Sequence, residues 1–193
     1  MIPLLLIRHG TTDWNALGRI QGRTDRPLDA SGSAAIRAAV LPPGWASAAC
    51  YASPLKRAME TAHLLGLRPI PEPGLIEMAW GEWEGQRLSD LRAELGDAMR
   101  ANEARGLDFR PPGGESPRDV QQRLRPVLKN LAGPAIFVTH KGVLRALYAL
   151  ATGWSMAEKG PDKLRDGTAQ AFQVAADGTP EVQRLNIPLE RGS

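Results

Sequence analysis

Two of the three histidines in this chain stand directly behind apolar segments of strand length. His9 comes after the run Leu4–Ile7 and Arg8, and His140 comes after the run Ala135–Thr139. Neutral imidazole is a good nucleophile near pH 7. If the two runs are strands of one parallel sheet, both imidazoles lie at the same sheet edge. The pattern therefore predicts a reactive pocket built from distant parts of the chain.

Two arginines have the same kind of placement. Arg8 precedes His9, and Arg57 comes just after a third short strand, predicted over Cys50–Ser53. Phosphoryl transfer requires cations around the equatorial oxygens of the phosphate. The planar guanidinium fork suits phosphate geometry better than an ammonium group does. Two arginines and two histidines at strand ends therefore predict a phosphate pocket.

The elements that must position these residues alternate between strands and helices. Strands that are apolar on both faces, separated by helices, predict a three-layer α/β/α sandwich with a mainly parallel, mixed central sheet. Ligands of such sheets bind outside the carboxyl ends of the strands. We expect one domain over residues 1–193. The predicted helices cover Ala34–Val40, Leu55–Leu65, Leu88–Arg105 with Gly106 as a C-cap, Pro117–Leu131 with Ser116 as the N-cap and a kink at Pro126, and Val143–Thr152. A surface loop is predicted over Pro69–Gly85, and closing strands over Ala169–Ala175 and Val182–Leu185.

Composition excludes several classes of protein. The chain has 193 residues, 42% hydrophobic and 23% charged, which is typical of a globular domain. The net charge is +3 without a long Lys/Arg run, so we expect no nucleic-acid partner. The first apolar run is far shorter than the roughly 20 residues that span a bilayer, so we expect no membrane association. The single cysteine, Cys50, indicates a small buried residue in a cytoplasmic protein. No His/Asp/Glu cluster has metal-ligand spacing, and we expect neither a metal nor another cofactor.

Five ordered segments between residues 3 and 153 resemble the motifs of the histidine phosphatase superfamily, which has the phosphoglycerate mutase-like fold. The first two are Leu6-Ile7-Arg8-His9-Gly10-Thr11-Thr12-Asp13-Trp14-Asn15, and Gly18-Arg19-Ile20-Gln21-Gly22 followed by Asp25, Pro27-Leu28 and Gly32. The others are Ser53-Pro54-Leu55-Lys56-Arg57-Ala58 with Thr61-Ala62, Leu75-Ile76-Glu77 with Trp80-Gly81-Glu82-Trp83-Glu84-Gly85, and Gly114-Glu115-Ser116 with Val138-Thr139-His140. Five motifs in the family's order are far more specific than any one alone.

The resemblance implies a role for each matching residue. His9 is the nucleophile that becomes phosphohistidine. Arg8, Arg57 and His140 bind the phosphoryl oxygens. The same motifs imply phosphate or substrate contacts by four further residues, Thr12, Asn15, Gln21 and Gly22.

A carboxylic acid must protonate the leaving oxygen, because an alkoxide is a poor leaving group. The resemblance favours Glu77, which would later take a proton from the attacking water. Glu82 and Glu84 stand in the same loop and have the same chemistry. The choice among the three depends on geometry and on which carboxyl is buried enough for a raised pKa.

Some positions depart from the family pattern or allow two interpretations. Thr11 stands where many relatives carry Glu, and Lys141 stands where a small residue is usual. Lys141 either contacts an anionic group of the substrate or extends into solvent. Trp14, Trp80 and Trp83 flank the predicted site and either line the substrate pocket or pack beneath it.

The resemblance covers both phosphatases and mutases. True mutases of the family are longer, carry an inserted Arg-Arg pair, and read Glu-Arg-His-Tyr-Gly at the acid loop. This chain reads Glu77-Met78-Ala79-Trp80-Gly81 and has no adjacent Arg-Arg pair between that loop and Gly114. We therefore predict a phosphomonoesterase that hydrolyses a small phosphorylated metabolite. The alternatives are a cofactor-dependent phosphoglycerate mutase and a catalytically inactive phosphate-binding module. We expect the binding partner to be a small phosphate ester. Whether the protein forms a homodimer stays open.

Overall fold

A computed structural model describes residues 1–191 of the chain. Eight strands and seven α-helices occur within that range. The strands are β1 (Ile2–Arg8), β2 (Ala39–Val40), β3 (Ala49–Ala52), β4 (Pro69–Pro71), β5 (Ala135–Thr139), β6 (Thr168–Val174), β7 (Pro180–Pro188) and β8 (Glu190–Arg191). The helices are α1 (Asp13–Ala16), α2 (Ala30–Arg37), α3 (Lys56–Leu64), α4 (Leu88–Leu95), α5 (Asp97–Glu103), α6 (Pro117–Lys129) and α7 (Lys141–Thr152).

Six of these strands form one mixed sheet in the order β4-β3-β5-β1-β6-β7. The first four strands are parallel to one another. Strand β6 pairs antiparallel with both β1 and β7. Strands β2 and β8 form a separate antiparallel pair. The predicted mainly parallel, mixed sheet is confirmed.

The central strand β1 is apolar on both faces because helices cover both. Leu4 and Leu6 belong to a core cluster with residues of α6 and α7. Leu5 and Ile7 belong to a second cluster with residues of α3. All four side chains are completely buried. The two clusters account for the continuous apolar run in the sequence and confirm the three-layer sandwich.

The register of the parallel strands brings the predicted site residues to one edge. Arg8 in β1 pairs with Thr139 in β5. His9 and His140, the residues that follow, therefore lie at the ends of neighbouring strands. The backbone N–H of His9 donates to the carbonyl of Thr139 at 2.9 Å. Ser53, which follows β3, donates its backbone N–H to the carbonyl of Val138 at 3.0 Å. The residues that follow these three strands therefore lie at the same edge of the sheet.

Several predicted boundaries are wrong, and turn chemistry explains two of them. The helix expected over Ala34–Val40 is α2, which starts at Ala30 because the Asp29 carboxylate accepts the Gly32 N–H at 2.6 Å and caps it. The helix expected over Leu88–Arg105 is split into α4 and α5 at Gly96, whose φ of +51° interrupts the helical path.

Three smaller differences concern segments beside the site. The loop expected over Pro69–Gly85 begins with the edge strand β4. Gly106 is not a C-cap, because α5 ends at Glu103 and Gly106 opens a 3₁₀ turn. Helix α7 begins at Lys141, two residues earlier than predicted, because His140 itself has the extended conformation of an N-cap. The residue after His140 is therefore already helical.

Candidate active site

His9 is held in one orientation and one tautomer. Its Nδ1 lies 2.7 Å from the carbonyl oxygen of Gly10. A carbonyl accepts hydrogen bonds only, so Nδ1 carries the proton and Nε2 keeps its lone pair. Burial, reinforced by the charges of Arg8 and Arg57, lowers the pKa of His9 to about 3. The imidazole is therefore neutral and nucleophilic at Nε2 over the physiological range.

His140 is oriented by the arginine and the serine that flank it. The Nε–H of Arg57 donates to Nδ1 of His140 at 3.2 Å. That bond leaves the proton on Nε2, which donates to Oγ of Ser53 at 2.7 Å. The ring centroids of His140 and His9 are 5.1 Å apart. Complete burial is the main cause that lowers the pKa of His140 well below its usual range.

Arg57 is completely buried although it carries a full charge. Its other two nitrogens donate to the backbone carbonyls of Thr24 at 2.9 Å and Gly22 at 2.7 Å. A buried guanidinium is tolerated when its donors find acceptors, and carbonyls provide them here without neutralising the charge. Arg57 therefore keeps its positive charge for a ligand beside His9 and His140.

Glu84 builds the loop that supplies those carbonyls. Its carboxylate accepts the backbone N–H groups of Arg23 and Thr24, both at 2.9 Å, and the Thr24 hydroxyl at 2.6 Å. Gly22, with φ of +52°, passes so close that a Cβ there would lie 2.0 Å from Glu84 Oε1. The Glu84 carboxylate is thus occupied by hydrogen bonds from the loop that contains Gly22.

Arg8 and His9 line one cleft. One of its terminal nitrogens forms an ion pair with the carboxylate of Asp166. Its Nε is buried and has no hydrogen-bond partner within residues 1–191. A buried donor without a partner is costly, and an anion bound beside His9 would satisfy it.

Glu77 is the buried carboxyl group of the acid loop. Its Oε1 accepts the Met78 N–H at 2.9 Å and its Oε2 accepts the Gly142 N–H at 3.2 Å. Burial raises the pKa of Glu77 more than these hydrogen bonds lower it. Glu82, by contrast, is exposed, and Glu84 is engaged in the loop. Glu77 thus has the environment that a general acid requires.

The four remaining predicted contacts have different surroundings. Oδ1 of Asn15 accepts the N–H and the hydroxyl of Thr12, both at 3.1 Å, in the capping box of α1. The Thr12 hydroxyl is therefore occupied, whereas Asn15 lines the cleft. Gln21 is buried, and its Oε1 has no partner among the described residues. Gly22 contributes its carbonyl to Arg57.

The cleft beside His9 has a volume of about 360 Å³ and also contains Lys141. Lys141 is exposed at the first position of α7. Both Lys141 and Arg8 also line a neighbouring cavity. This placement is compatible with either interpretation of Lys141.

The three tryptophans near the site make packing contacts. The guanidinium of Arg26 lies 5.5 Å from the ring centroid of Trp14. The Trp80 and Trp83 centroids are 6.5 Å apart, and Phe109 lies 5.6 and 5.9 Å from them. Trp83 is buried, whereas Trp80 is half-buried and lines a cavity. Trp80 therefore packs against the other two rings and also lines a cavity.

Two features of residues 1–191 concern metal ions and membranes. In that range no three or more His, Cys, Asp or Glu side chains are grouped so that they can hold a metal ion. None of the helices there has both the length and the apolar character of a membrane span. Cys50 is buried, and burial raises the pKa of its thiol to about 11.

Sequence reasoning missed four residues that shape the site. Ser53 and Glu84 stand inside the motifs, but their spacing gave no sign of their roles. Ser53 accepts a hydrogen bond from His140, and Glu84 holds the loop around Gly22. Gly142 is required beside Glu77, because a Cβ there would lie 2.4 Å from Glu77 Oε1. Asp166 lies beyond the matching segments, and no sequence signal connected it to Arg8.

Known proteins are similar to this chain over almost its whole length. The sequence profile of the histidine phosphatase superfamily (branch 1) matches residues 4–188. A 2,3-bisphosphoglycerate-dependent phosphoglycerate mutase from Methylobacterium radiotolerans is 33% identical, over 91% of both chains. A crystal structure of a phosphoglycerate mutase from Thermus thermophilus has a TM-score of 0.74 and 34% identity, covering 96% of this chain and 98% of that one. The structure of mycobacterial hydrolase 1 has a TM-score of 0.76 and 25% identity, covering both chains completely.

The comparison also corrects the argument from chain length. Because 91% of both chains is covered, the Methylobacterium mutase is about as long as this chain. Length therefore does not separate the two activities. Together, the profile match, the shared fold and the shared identity show that this chain is an enzyme of the histidine phosphatase superfamily, branch 1, with the phosphoglycerate mutase-like fold.

Proposed function

We propose that this enzyme is a phosphomonoesterase that hydrolyses a small phosphate ester through a phosphohistidine on His9. The observation that carries the proposal is the tautomer of His9. Its Nδ1 is bound to the Gly10 carbonyl, and its Nε2 lone pair is free for attack on phosphorus. The buried carboxyl of Glu77 complements this nucleophile, because burial raises its pKa and so favours the protonated form that a general acid uses.

In the first step, Nε2 of His9 attacks the phosphorus atom and the bond from phosphorus to the ester oxygen breaks. The proton of Glu77 passes to that oxygen, so an alcohol leaves instead of an alkoxide. Arg8 and Arg57 supply positive charge beside the phosphoryl oxygens, and neutral His140 donates its Nε2–H to one of these oxygens in place of Ser53 Oγ. The products are the alcohol and a phosphohistidine.

In the second step, water attacks the phosphohistidine and the bond from phosphorus to Nε2 breaks. The Glu77 carboxylate takes a proton from the attacking water, which restores the acid for the next cycle. Inorganic phosphate leaves, and His9 returns to its neutral form with the proton on Nδ1.

The second candidate is a phosphoglycerate mutase, which the names of the relatives favour. A mutase must exclude water and return the phosphoryl group to a sugar acid. The residues that follow Glu77 are Met78, Ala79 and Trp80, which offer no cation for a glycerate carboxylate. This chemistry supports hydrolysis over mutase activity.

The test compares two reactions. Turnover of p-nitrophenyl phosphate, without conversion of 3-phosphoglycerate in the presence of its bisphosphate primer, supports the phosphatase. The His9→Asn variant should lose turnover and the acid-labile phosphoryl label. His63→Asn is the matched control, because His63 is exposed on α3 away from the cleft.

Three outcomes would contradict the proposal. Efficient interconversion of phosphoglycerates would establish the mutase. Full activity of His9→Asn would exclude the phosphohistidine. No reaction with either substrate would favour an inactive phosphate-binding module.

A further inference from the structure

The hydroxyl group of Thr61 joins two parts of the active site that are far apart in sequence. Thr61 is completely buried and lies one helical turn after Arg57 in α3. Its Oγ1 donates to the backbone carbonyl of Arg57 at 2.6 Å. The same oxygen accepts the backbone N–H of Gly10 at 3.0 Å. One hydroxyl thus connects the helix that carries Arg57 to the loop that carries His9.

Gly10 is the link between this hydroxyl and the nucleophile. Its N–H is bound to Thr61 Oγ1, and its carbonyl accepts the Nδ1–H of His9 at 2.7 Å. Glycine has more backbone freedom than any other residue, so its conformation depends on such external bonds. The orientation of the Gly10 carbonyl, which fixes the His9 tautomer, is therefore tied to Thr61.

Helix α2 confines Gly10 from another direction. A Cβ on Gly10 would lie 2.8 Å from Cγ1 of Ile36 and 3.3 Å from the carbonyl oxygen of Gly32. This packing limits how far Gly10 can move, but apolar contact provides no acceptor for its N–H. Among residues 1–191, the acceptor of that N–H is Thr61 Oγ1. Packing and hydrogen bonding thus hold Gly10 separately, and removal of the Thr61 hydroxyl affects the second.

Loss of this hydroxyl has a chemical consequence at His9. A buried N–H without an acceptor is costly, so the peptide between His9 and Gly10 would turn toward another acceptor. The Gly10 carbonyl would then no longer point at Nδ1 of His9. Attack on phosphorus requires the Nε2 lone pair, which exists in the neutral ring only while Nδ1 carries the proton. The free nucleophile thus depends on a group that lies outside the reacting atoms.

We infer that Thr61 is a positioning residue for the phosphorylation of His9, and that its hydroxyl acts through the Gly10 backbone to keep the Nε2 lone pair of His9 available. The inference rests on the proposed function, because it concerns the nucleophile of that reaction. It adds a control of the tautomer that originates in α3, the helix that also supplies Arg57.

The first experiment measures kcat and KM for p-nitrophenyl phosphate. Thr61→Val keeps the size of the side chain and removes its hydroxyl. We expect kcat to fall about tenfold or more and KM to change less than about threefold, because the arginines still bind phosphate while the nucleophile is misplaced. Thr61→Ser restores the hydroxyl and should keep kcat within about threefold of wild type.

The second experiment observes the tautomer directly by ¹⁵N NMR of labelled histidine. The His9 signals are assigned by their loss in His9→Asn. Wild type should show a protonated Nδ1 and an unprotonated Nε2, whereas Thr61→Val should show a mixture of the two tautomers. A purely structural role of Thr61 would lower the thermal unfolding temperature without changing this spectrum.

Thr152→Val is the matched control for the loss of a threonine hydroxyl. The Thr152 hydroxyl also donates to the carbonyl one helical turn earlier, that of Tyr148 at 2.9 Å, but it lies at the exposed end of α7. This variant should leave kcat and the His9 spectrum unchanged. If Thr61→Val does not fold, Thr61→Cys replaces it, since a thiol is only a weak acceptor, and the same losses are expected.

Three results separate this inference from the proposed function. A wild-type kcat and a single His9 tautomer in folded Thr61→Val or Thr61→Cys would overturn the inference and leave the hydrolase intact. An equal loss of kcat in Thr61→Ser would also overturn it, because the hydroxyl would not be the cause. If wild type hydrolysed no ester, the hydrolase would be overturned, and the tautomer in the Thr61 variants would still decide the role of Thr61.

Discussion

Gly142 provides the sharpest test of the acid, because replacing one of its α-hydrogens with a methyl group should displace the Glu77 carboxyl. Gly142 is the second residue of α7, and its N–H donates to Glu77 Oε2 at 3.2 Å. A Cβ at this position would lie 2.4 Å from Glu77 Oε1 and 3.3 Å from Cβ of Met78. The Gly142→Ala variant therefore cannot keep the Glu77 carboxyl where it is.

The size of the effect follows from the distances. Ordinary contact begins near 3.4 Å, so the carboxyl oxygen at 2.4 Å must retreat by about 1 Å. A misplacement of that size costs a catalytic group about 100-fold in rate. The free energy of unfolding should change little, because the displaced atom ends a flexible side chain and alanine favours the helix by about 0.5–1 kcal/mol.

Rapid-quench measurement of His9 phosphorylation in the first turnover tests this prediction. An alkyl phosphate needs a proton on its leaving oxygen, whereas 2,4-dinitrophenyl phosphate releases a stable phenolate that does not. We expect the Gly142→Ala rate to fall about 100-fold with the alkyl ester and less than about threefold with the dinitrophenyl ester. Gly133→Ala is the matched control, because a Cβ there meets no atom within 4 Å.

Two results would refute the reasoning. A wild-type rate with the alkyl ester would show that Glu77 is not the acid or that its position is unimportant. Equal losses with both esters would show that the substitution damages the phosphate pocket instead of proton transfer. Thermal unfolding of the variant, measured in parallel, separates either result from a general loss of structure.

Three further predictions concern the rest of the pocket. Asp166→Asn should bind inorganic phosphate up to about fivefold more tightly, because the exposed Asp166 carboxylate no longer competes for Arg8; weaker product inhibition than in wild type would contradict this. Ser53→Ala should lower kcat and cost about 1–3 kcal/mol of unfolding free energy, since it leaves the buried Nε2–H of His140 without an acceptor; chemical denaturation that matches wild type would refute it. NMR should show a neutral His9 ring from pH 8 to pH 5, because its pKa is lowered to about 3. The unfolded chain protonates His9 near 6.5, so this residue's contribution to stability should fall as the pH drops below 6.5; protonation of the folded protein near pH 6.5 would contradict the assignment.

The mainly parallel sandwich could be predicted because the apolar signal of its strands is strong and local. Leu4–Ile7 and Ala135–Thr139 are continuous apolar runs, and only a sheet covered on both faces buries such runs completely. The helix boundaries were less predictable. The start of α2 depends on a cap by Asp29, and the break at Gly96 depends on a positive φ that apolar periodicity does not reveal.

The choice of the acid shows where sequence reasoning ends. Glu77, Glu82 and Glu84 have identical chemistry and stand within eight positions of the same loop. Folding buries Glu77 against Gly142, exposes Glu82 and directs Glu84 to the backbone of Thr24. The family resemblance favoured Glu77, but burial and hydrogen bonding are properties of the assembled loop, so residue chemistry alone could not rank the three carboxyls.

The residue types and their order were sufficient to indicate the family, the sandwich and the pair of histidines at strand ends, because motifs and buried strands are local properties of the chain. The tertiary structure decided the tautomer of His140, the burial of Glu77 and the ion pair of Arg8 with Asp166. Each of these depends on distances between residues far apart in sequence. Such distances exist only once the sheet has formed and the loops have closed over its edge.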